Sequence, residues 1–143
     1  MTTGPGFGTN VGWDFSYPND LDMTNNQFKF VVLGTDTYLD LCGSGALALG
    51  IIQDNPNGST TLGIVSQVRT GGVSKVAAGG TFSAGQLLSS NSSALAVLYT
   101  AATVFTGTPY TVSGTQVLGI ANEPGAAGGA LTSMLFRPSG LSA

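Results

Sequence analysis

The chain has no histidine, one cysteine and very little charge. Its 143 residues include 4 Lys+Arg and 7 Asp+Glu, 8% charged in all, where an ordinary globular domain carries about a quarter. Without histidine there is no Ser-His-Asp or Cys-His triad, no imidazole ligand for zinc and no general base that titrates near neutrality. A lone Cys42 excludes an intrachain disulfide and a CxxC metal or redox pair, and in its apolar run it reads as a small buried hydrophobe. No stretch reaches the roughly 18 apolar residues of a membrane span. Residues 1–10 lack both the basic and the apolar part of a secretory signal, so cytoplasmic synthesis and no membrane partner are the expectation.

Net charge is −3, and the four cations, Lys29, Arg69, Lys75 and Arg137, are scattered. No basic stripe exists to release phosphate counterions, which argues against nucleic acid as a partner. Solubility has to come from hydroxyls, amides and backbone.

What the chain does contain is turn chemistry. Gly 22 and Pro 6 exceed the average share of about 12%. They punctuate short runs rich in Val, Ile, Leu, Phe and Thr at 28–33, 37–42, 46–53, 60–69, 73–78, 86–89, 94–100, 110–113, 115–121 and 130–137. Runs of this length and spacing predict an all-β fold, a small β-sandwich or barrel of short, mostly antiparallel strands. Residues 93–105 are long and glycine-free enough for a helix, but Val, Tyr, Thr and Phe crowd their second half and favour strand. The segment 1–27 differs: glycine-rich first, then Trp13, Phe15 and Tyr17 alternating with polar residues. It reads as an extended N-terminal arm with an aromatic anchor, ahead of a β domain at 28–137 and a tail at 138–143.

One stretch imitates a nucleotide site. Gly43-Ser44-Gly45-Ala46-Leu47-Ala48 fits G-x-G-x-x-[G/A] after a strand-like run. The fingerprint needs a helix inside it and an acid about 20 residues later for the ribose. The apolar run breaks at Gly50, and residues 55–122 hold no acid, so a hairpin turn between 37–42 and 46–53 is the reading that remains. Arg69-Thr70-Gly71-Gly72-Val73-Ser74-Lys75 likewise misses G-x-x-x-x-G-K-[ST] and reads as a hairpin turn at Gly71-Gly72. Asn19-Asp20-Leu21-Asp22 lacks the register of a calcium loop and reads as a solvated turn. The acids that could serve glycoside chemistry are Asp14, Asp20, Asp22, Asp36, Asp40, Asp54 and Glu123, and no spacing pairs two of them in a cleft. The expectation is therefore no catalytic residue, no cofactor and no metal.

The chain also echoes itself. Leu49-Gly50-Ile51-Ile52-Gln53-Asp54-Asn55-Pro56 and Leu118-Gly119-Ile120-Ala121-Asn122-Glu123-Pro124 share an LGI core followed by an acid and a proline. Each reads as a buried strand in which glycine permits a bulge or a close backbone approach. Two copies are too few for a solenoid, and a pseudo-symmetric pair of strands is the expectation.

Three blocks, "LCGSGALALGIIQDNPNG", "VRTGGVSKVAAGGTFSAGQLLSS" and "VLGIANEPGAAGGALTSMLF", occur in an order that resembles the capsid decoration, or cement, proteins of tailed bacteriophages. The likeness runs over 28–97 and 115–137, and Gln86 stands where that family often has an aspartate. The resemblance implies a non-enzymatic structural protein, made in the host cytoplasm and placed on the virion capsid surface. There it would bind the major capsid protein and lock neighbouring subunits together as a homo-oligomer, commonly a trimer. The candidate capsid or subunit contacts are Phe7, Trp13, Phe15, Tyr17, Phe136, Arg137 and Leu141, because aromatic anchors dominate interface energetics. A β-rich adhesion or fibre module on the virion surface is the alternative.

Overall fold

The computed structural model describes residues 12–20, 23–54, 65–100 and 115–138. Among them are nine strands and no helix: β1 (Gly12–Pro18), β2 (Phe30–Leu33), β3 (Leu39–Leu41), β4 (Gly50–Ile52), β5 (Val65–Ala78), β6 (Leu87–Ser90), β7 (Ala96–Leu98), β8 (Gly119–Ala121) and β9 (Ala130–Phe136). The fold is all-β, built on a small closed barrel. The ring runs β5-β7-β6-β8-β9 and returns to β5. Closure removes the open edges that short strands otherwise expose. Every strand pairing is antiparallel except β5 with β7, which meet in parallel at Ala78 and Ala96.

The remaining strands build the same object a second time. The first half of β5 has β1 on one side and β4, β2 and β3 in succession on the other, and a parallel bridge from Asn19 to Leu39 draws the ring together. The registers coincide pair by pair. Val31–Leu41, Val32–Asp40 and Leu33–Leu39 on β2–β3 correspond to Leu88–Leu98, Ser89–Val97 and Ser90–Ala96 on β6–β7. Phe30–Ile51 corresponds to Leu87–Ile120, and Ile51–Arg69 to Ile120–Leu135. Asp14–Arg69 corresponds to Val73–Leu135, and the Asn19–Leu39 bridge to the Ala78–Ala96 pair. The hairpin turns match too. Gly34 N–H donates to Tyr38 O and Thr37 N–H to Gly34 O, as Asn91 N–H does to Leu95 O and Ala94 N–H to Asn91 O. Thr37 and Ala94 both adopt positive φ, 72° and 62°. β5 is thus the last strand of the first barrel and the first strand of the second.

The LGI echo marks equivalent strands of the two units. Leu49 N–H donates to Val31 O and Leu118 N–H to Leu88 O, each at 2.8 Å. A Cβ on Gly50 would strike the Arg69 carbonyl, and one on Gly119 the Leu135 carbonyl. Close backbone approach is therefore the reason for glycine at both places.

Two expected hairpins are corrected. Gly71-Gly72 lies inside β5, which continues for 14 residues. At Gly72 (φ 87°) the neighbouring strand changes: it is the register partner of Gly12 on β1 and of Phe136 on β9. The glycine pair spans a bulge where one barrel hands over to the next, since positive φ costs glycine nothing. The stretch after Cys42 is not a hairpin either, because β3 and β4 are separated by β2. Gly43 to Ala46 closes a turn with Gly45 at φ 67°, and Gly45 N–H donates to Ser90 O at 2.8 Å, tying the first barrel to the second. The run expected at 110–113 lies outside the described residues.

Each barrel has its own filling. Met23, Val31, Leu39, Ile52 and Val68, with Tyr17 packed against them, fill the first. Val76, Leu88, Ala96, Ala121 and Met134 occupy the corresponding positions of the second. The larger cluster also takes in Phe30, Cys42, Ala48 and Ile51, which lie on the outer side of the first barrel. β4 is buried on both faces for this reason: Ile52 points into its own barrel and Ile51 into the joint between the two.

Candidate docking surfaces

β1 lies within the segment 1–27 read as an extended arm, and it carries the aromatic run. Paired residues on neighbouring antiparallel strands share a face, so Phe15 and Tyr17 lie on the side of their partners Val68 and Ser66. Tyr17 packs on the first barrel's core. Beyond it the core ends, and Phe15 is left 54% and Trp13 68% exposed, with the Trp13 ring passing over Gly71. The opposite face is polar. Arg69 Nε donates to Asp14 Oδ1 at 2.8 Å and Nη2 to Oδ2 at 3.0 Å, while Nη1 reaches Val73 O across the bulge at 2.9 Å. This fork clips β1 to β5 in the bidentate geometry that arginine favours.

The other expected contacts fall differently. Phe136 is buried at 1% exposure, its ring 6.2 Å from that of Phe30, so it belongs to the joint between barrels and is withdrawn as a surface contact. The alternation along β9 turns Phe136 inward. Arg137 is exposed at the end of β9. Phe7 and Leu141 lie outside the described residues.

Among the described acids, Asp20 and Asp40 come together, their carboxyl groups joined by a side-chain hydrogen bond. Asp20, Asp36 and Asp40 gather near the β2–β3 turn, where partial burial, followed by the charges of Asp20 and Asp36, raises the Asp40 pKa above its ordinary value. Among the described residues no group of three or more His, Cys, Asp or Glu is placed to hold a metal ion. Cys42 is free and buried, and burial raises its thiol pKa, keeping it protonated and unreactive.

A second apolar surface crosses the outside of the second barrel. Leu87 faces Ile120, Ile120 faces Leu135, and Leu135 faces Val73, so one outward row of aliphatic side chains spans four strands. Leu87, Ile120 and Val73 are exposed at 42%, 38% and 37%. Beside the row is a groove of about 430 Å³ lined by Leu87, Val117, Gly119, Ile120, Arg137 and Pro138. Sequence reading missed this surface, because adjacency across β5, β9, β8 and β6 is long-range pairing that no local pattern encodes. The available signal was the LGI echo, which marks Ile120 as the counterpart of Ile51.

The architecture, then, is a small closed β-barrel with exposed apolar surface. The same fold is found in the solved structure titled "The crystal structure of head fiber gp8.5 N base in bacteriophage phi29", with a TM-score of 0.57 and 18% sequence identity over 87% of this chain and 93% of that one. No family model and no curated protein sequence matches the chain.

Proposed function

We propose that the chain is a non-enzymatic structural protein of a phage head, held on the outer capsid surface by contacts with the major capsid protein. The observation that carries this reading is the fold shared with the phi29 head fibre base across most of both chains. The ordered sequence blocks that resemble cement proteins support it, as does the exposed pair Trp13 and Phe15 on a strand clipped to the barrel. A protein that stabilises a shell gains free energy by covering apolar seams, at about 25 cal/mol per Å², and repetition of the contact over many copies multiplies the effect.

The test is to add purified protein to expanded heads of its own phage that lack it, and to measure bound copies and the temperature at which the heads open. Saturable binding with a raised opening temperature supports the proposal, and absence of both overturns it. The fibre reading draws on the same neighbour, a phage head fibre base. Under it, the barrel would seat a fibre without stabilising the shell, so binding with an unchanged opening temperature would select it.

A further inference from the structure

The duplicated barrel leaves both halves of one joint unused. Within the chain, the outer face of the first barrel, Phe30, Ala48 and Ile51, is buried against the second. The seat is formed by the β6–β7 turn and the adjoining strands: Phe30 N–H donates to Ala94 O at 2.9 Å, Ala77 N–H to Phe28 O at 2.9 Å and Gly45 N–H to Ser90 O at 2.8 Å. By the register correspondence, the counterparts of Phe30, Ala48 and Ile51 in the second barrel are Leu87, Val117 and Ile120, and these three line the open groove. The counterparts of Ser90 and Ala94 in the first barrel are Leu33 and Thr37. Ser90 and Ala94 are buried, whereas Leu33 is 44% exposed and Thr35, Asp36 and Thr37 all face solvent. One end of the molecule therefore carries an empty socket and the other an unseated knob of the kind that fills its equivalent.

Charge separates the two ends in the same sense. Arg137 lines the socket, and no carboxylate pairs with it among the described residues. The knob carries Asp36, with Asp40 and Asp20 beside it.

We propose that a second copy of this chain seats the β2–β3 turn of its first barrel in the Leu87–Val117–Ile120 groove, repeating between chains the joint that each chain contains within itself. The contact is heterologous, so it builds a ring or a filament according to the rotation it imposes. It does not depend on what the chain is attached to, and it is tested on the isolated protein.

The experiment is sedimentation velocity on wild type and two blocked variants, Ile120→Asp for the groove and Asp36→Lys for the turn. Both positions are exposed, and unchanged circular dichroism confirms the fold. Wild type is expected to form assemblies that grow with concentration, and each variant alone to stay monomeric. An equimolar mixture of the two is expected to form dimers and nothing larger, because each variant keeps the half that the other has lost. Arg137→Glu is expected to weaken assembly about tenfold or more without touching the barrel interior. A wild type that stays monomeric at its highest soluble concentration overturns the proposal. So does an assembly that both variants leave intact, or a mixture that remains monomeric.

Discussion

Truncating the aromatic pair separates attachment from stability. In the double variant Trp13→Ala, Phe15→Ala the removed rings were 68% and 54% exposed. Aromatic side chains bury about 150–250 Å² when fully covered, so the uncovered part of the two is on the order of 250 Å². At about 25 cal/mol per Å² this is roughly 6 kcal/mol of available burial. Ordering two side chains costs about 0.5–1.5 kcal/mol each, and imperfect complementarity removes more. The expected loss of capsid affinity is therefore about 2–4 kcal/mol, or ~30-fold to ~1,000-fold. Stability should change by less than ~1 kcal/mol, because neither ring belongs to a core and the Asp14–Arg69 fork remains. The assay is cosedimentation of labelled protein with heads over a concentration series, run beside a urea melt of the free protein. Wild-type affinity in the double variant would refute attachment through β1. A urea midpoint that falls as far as a core deletion would show that the rings serve their own subunit.

Other consequences follow from the same geometry. Gly119→Ala and Gly50→Ala each press a methyl group into a carbonyl of the adjoining strand, and each is expected to cost about 2 kcal/mol or more in a urea melt; an unchanged midpoint would mean the strands part without penalty. Asp40 holds its proton more tightly folded than unfolded because of partial burial and its acidic neighbours. Its contribution to stability therefore grows as pH falls through the raised pKa and is complete below the ordinary value of 3.8. Asp40→Asn should raise the melting temperature at neutral pH, with a gain that vanishes in acid; a gain that persists in acid would count against the charge explanation. Cys42 is buried with a raised pKa, so an aromatic disulfide reagent should leave the native protein unmodified and react only after denaturation. Asp14→Asn should loosen β1 by about 0.5–1 kcal/mol, seen as faster amide exchange in Trp13 to Tyr17 at low salt and a smaller effect at high salt.

How far the sequence foretold the fold depends on the range of the interactions. Nine of the ten expected runs overlap observed strands, with 60–69 and 73–78 both falling on β5, because alternation and flanking turn residues are local signals. The failures at Gly43–Gly45 and Gly71–Gly72 share one cause. A glycine pair says that the backbone is permissive, and only the neighbouring strands decide whether it reverses the chain or carries it through a bulge. At Gly72 the deciding partners, Gly12 and Phe136, come from opposite ends of the sequence. The exposure of Trp13 and Phe15 was equally hidden, since an alternating aromatic strand looks the same whether a core lies beneath it or stops short of it. The LGI echo was legible as two strands, but the duplication behind it was not. Counterparts such as Asn19 and Ala78, or Asp14 and Val73, share a register and no chemistry.

Because β5 belongs to both barrels, no cut in the chain can yield two complete ones: whichever fragment keeps Val65–Ala78 deprives the other of a wall. A force that drew the barrels apart along this strand would load the ladders to β1, β4 and β9 lengthwise, shearing many hydrogen bonds together instead of opening them one after another. The molecule is thereby built as a spliced beam, strongest along the line that joins its two ends.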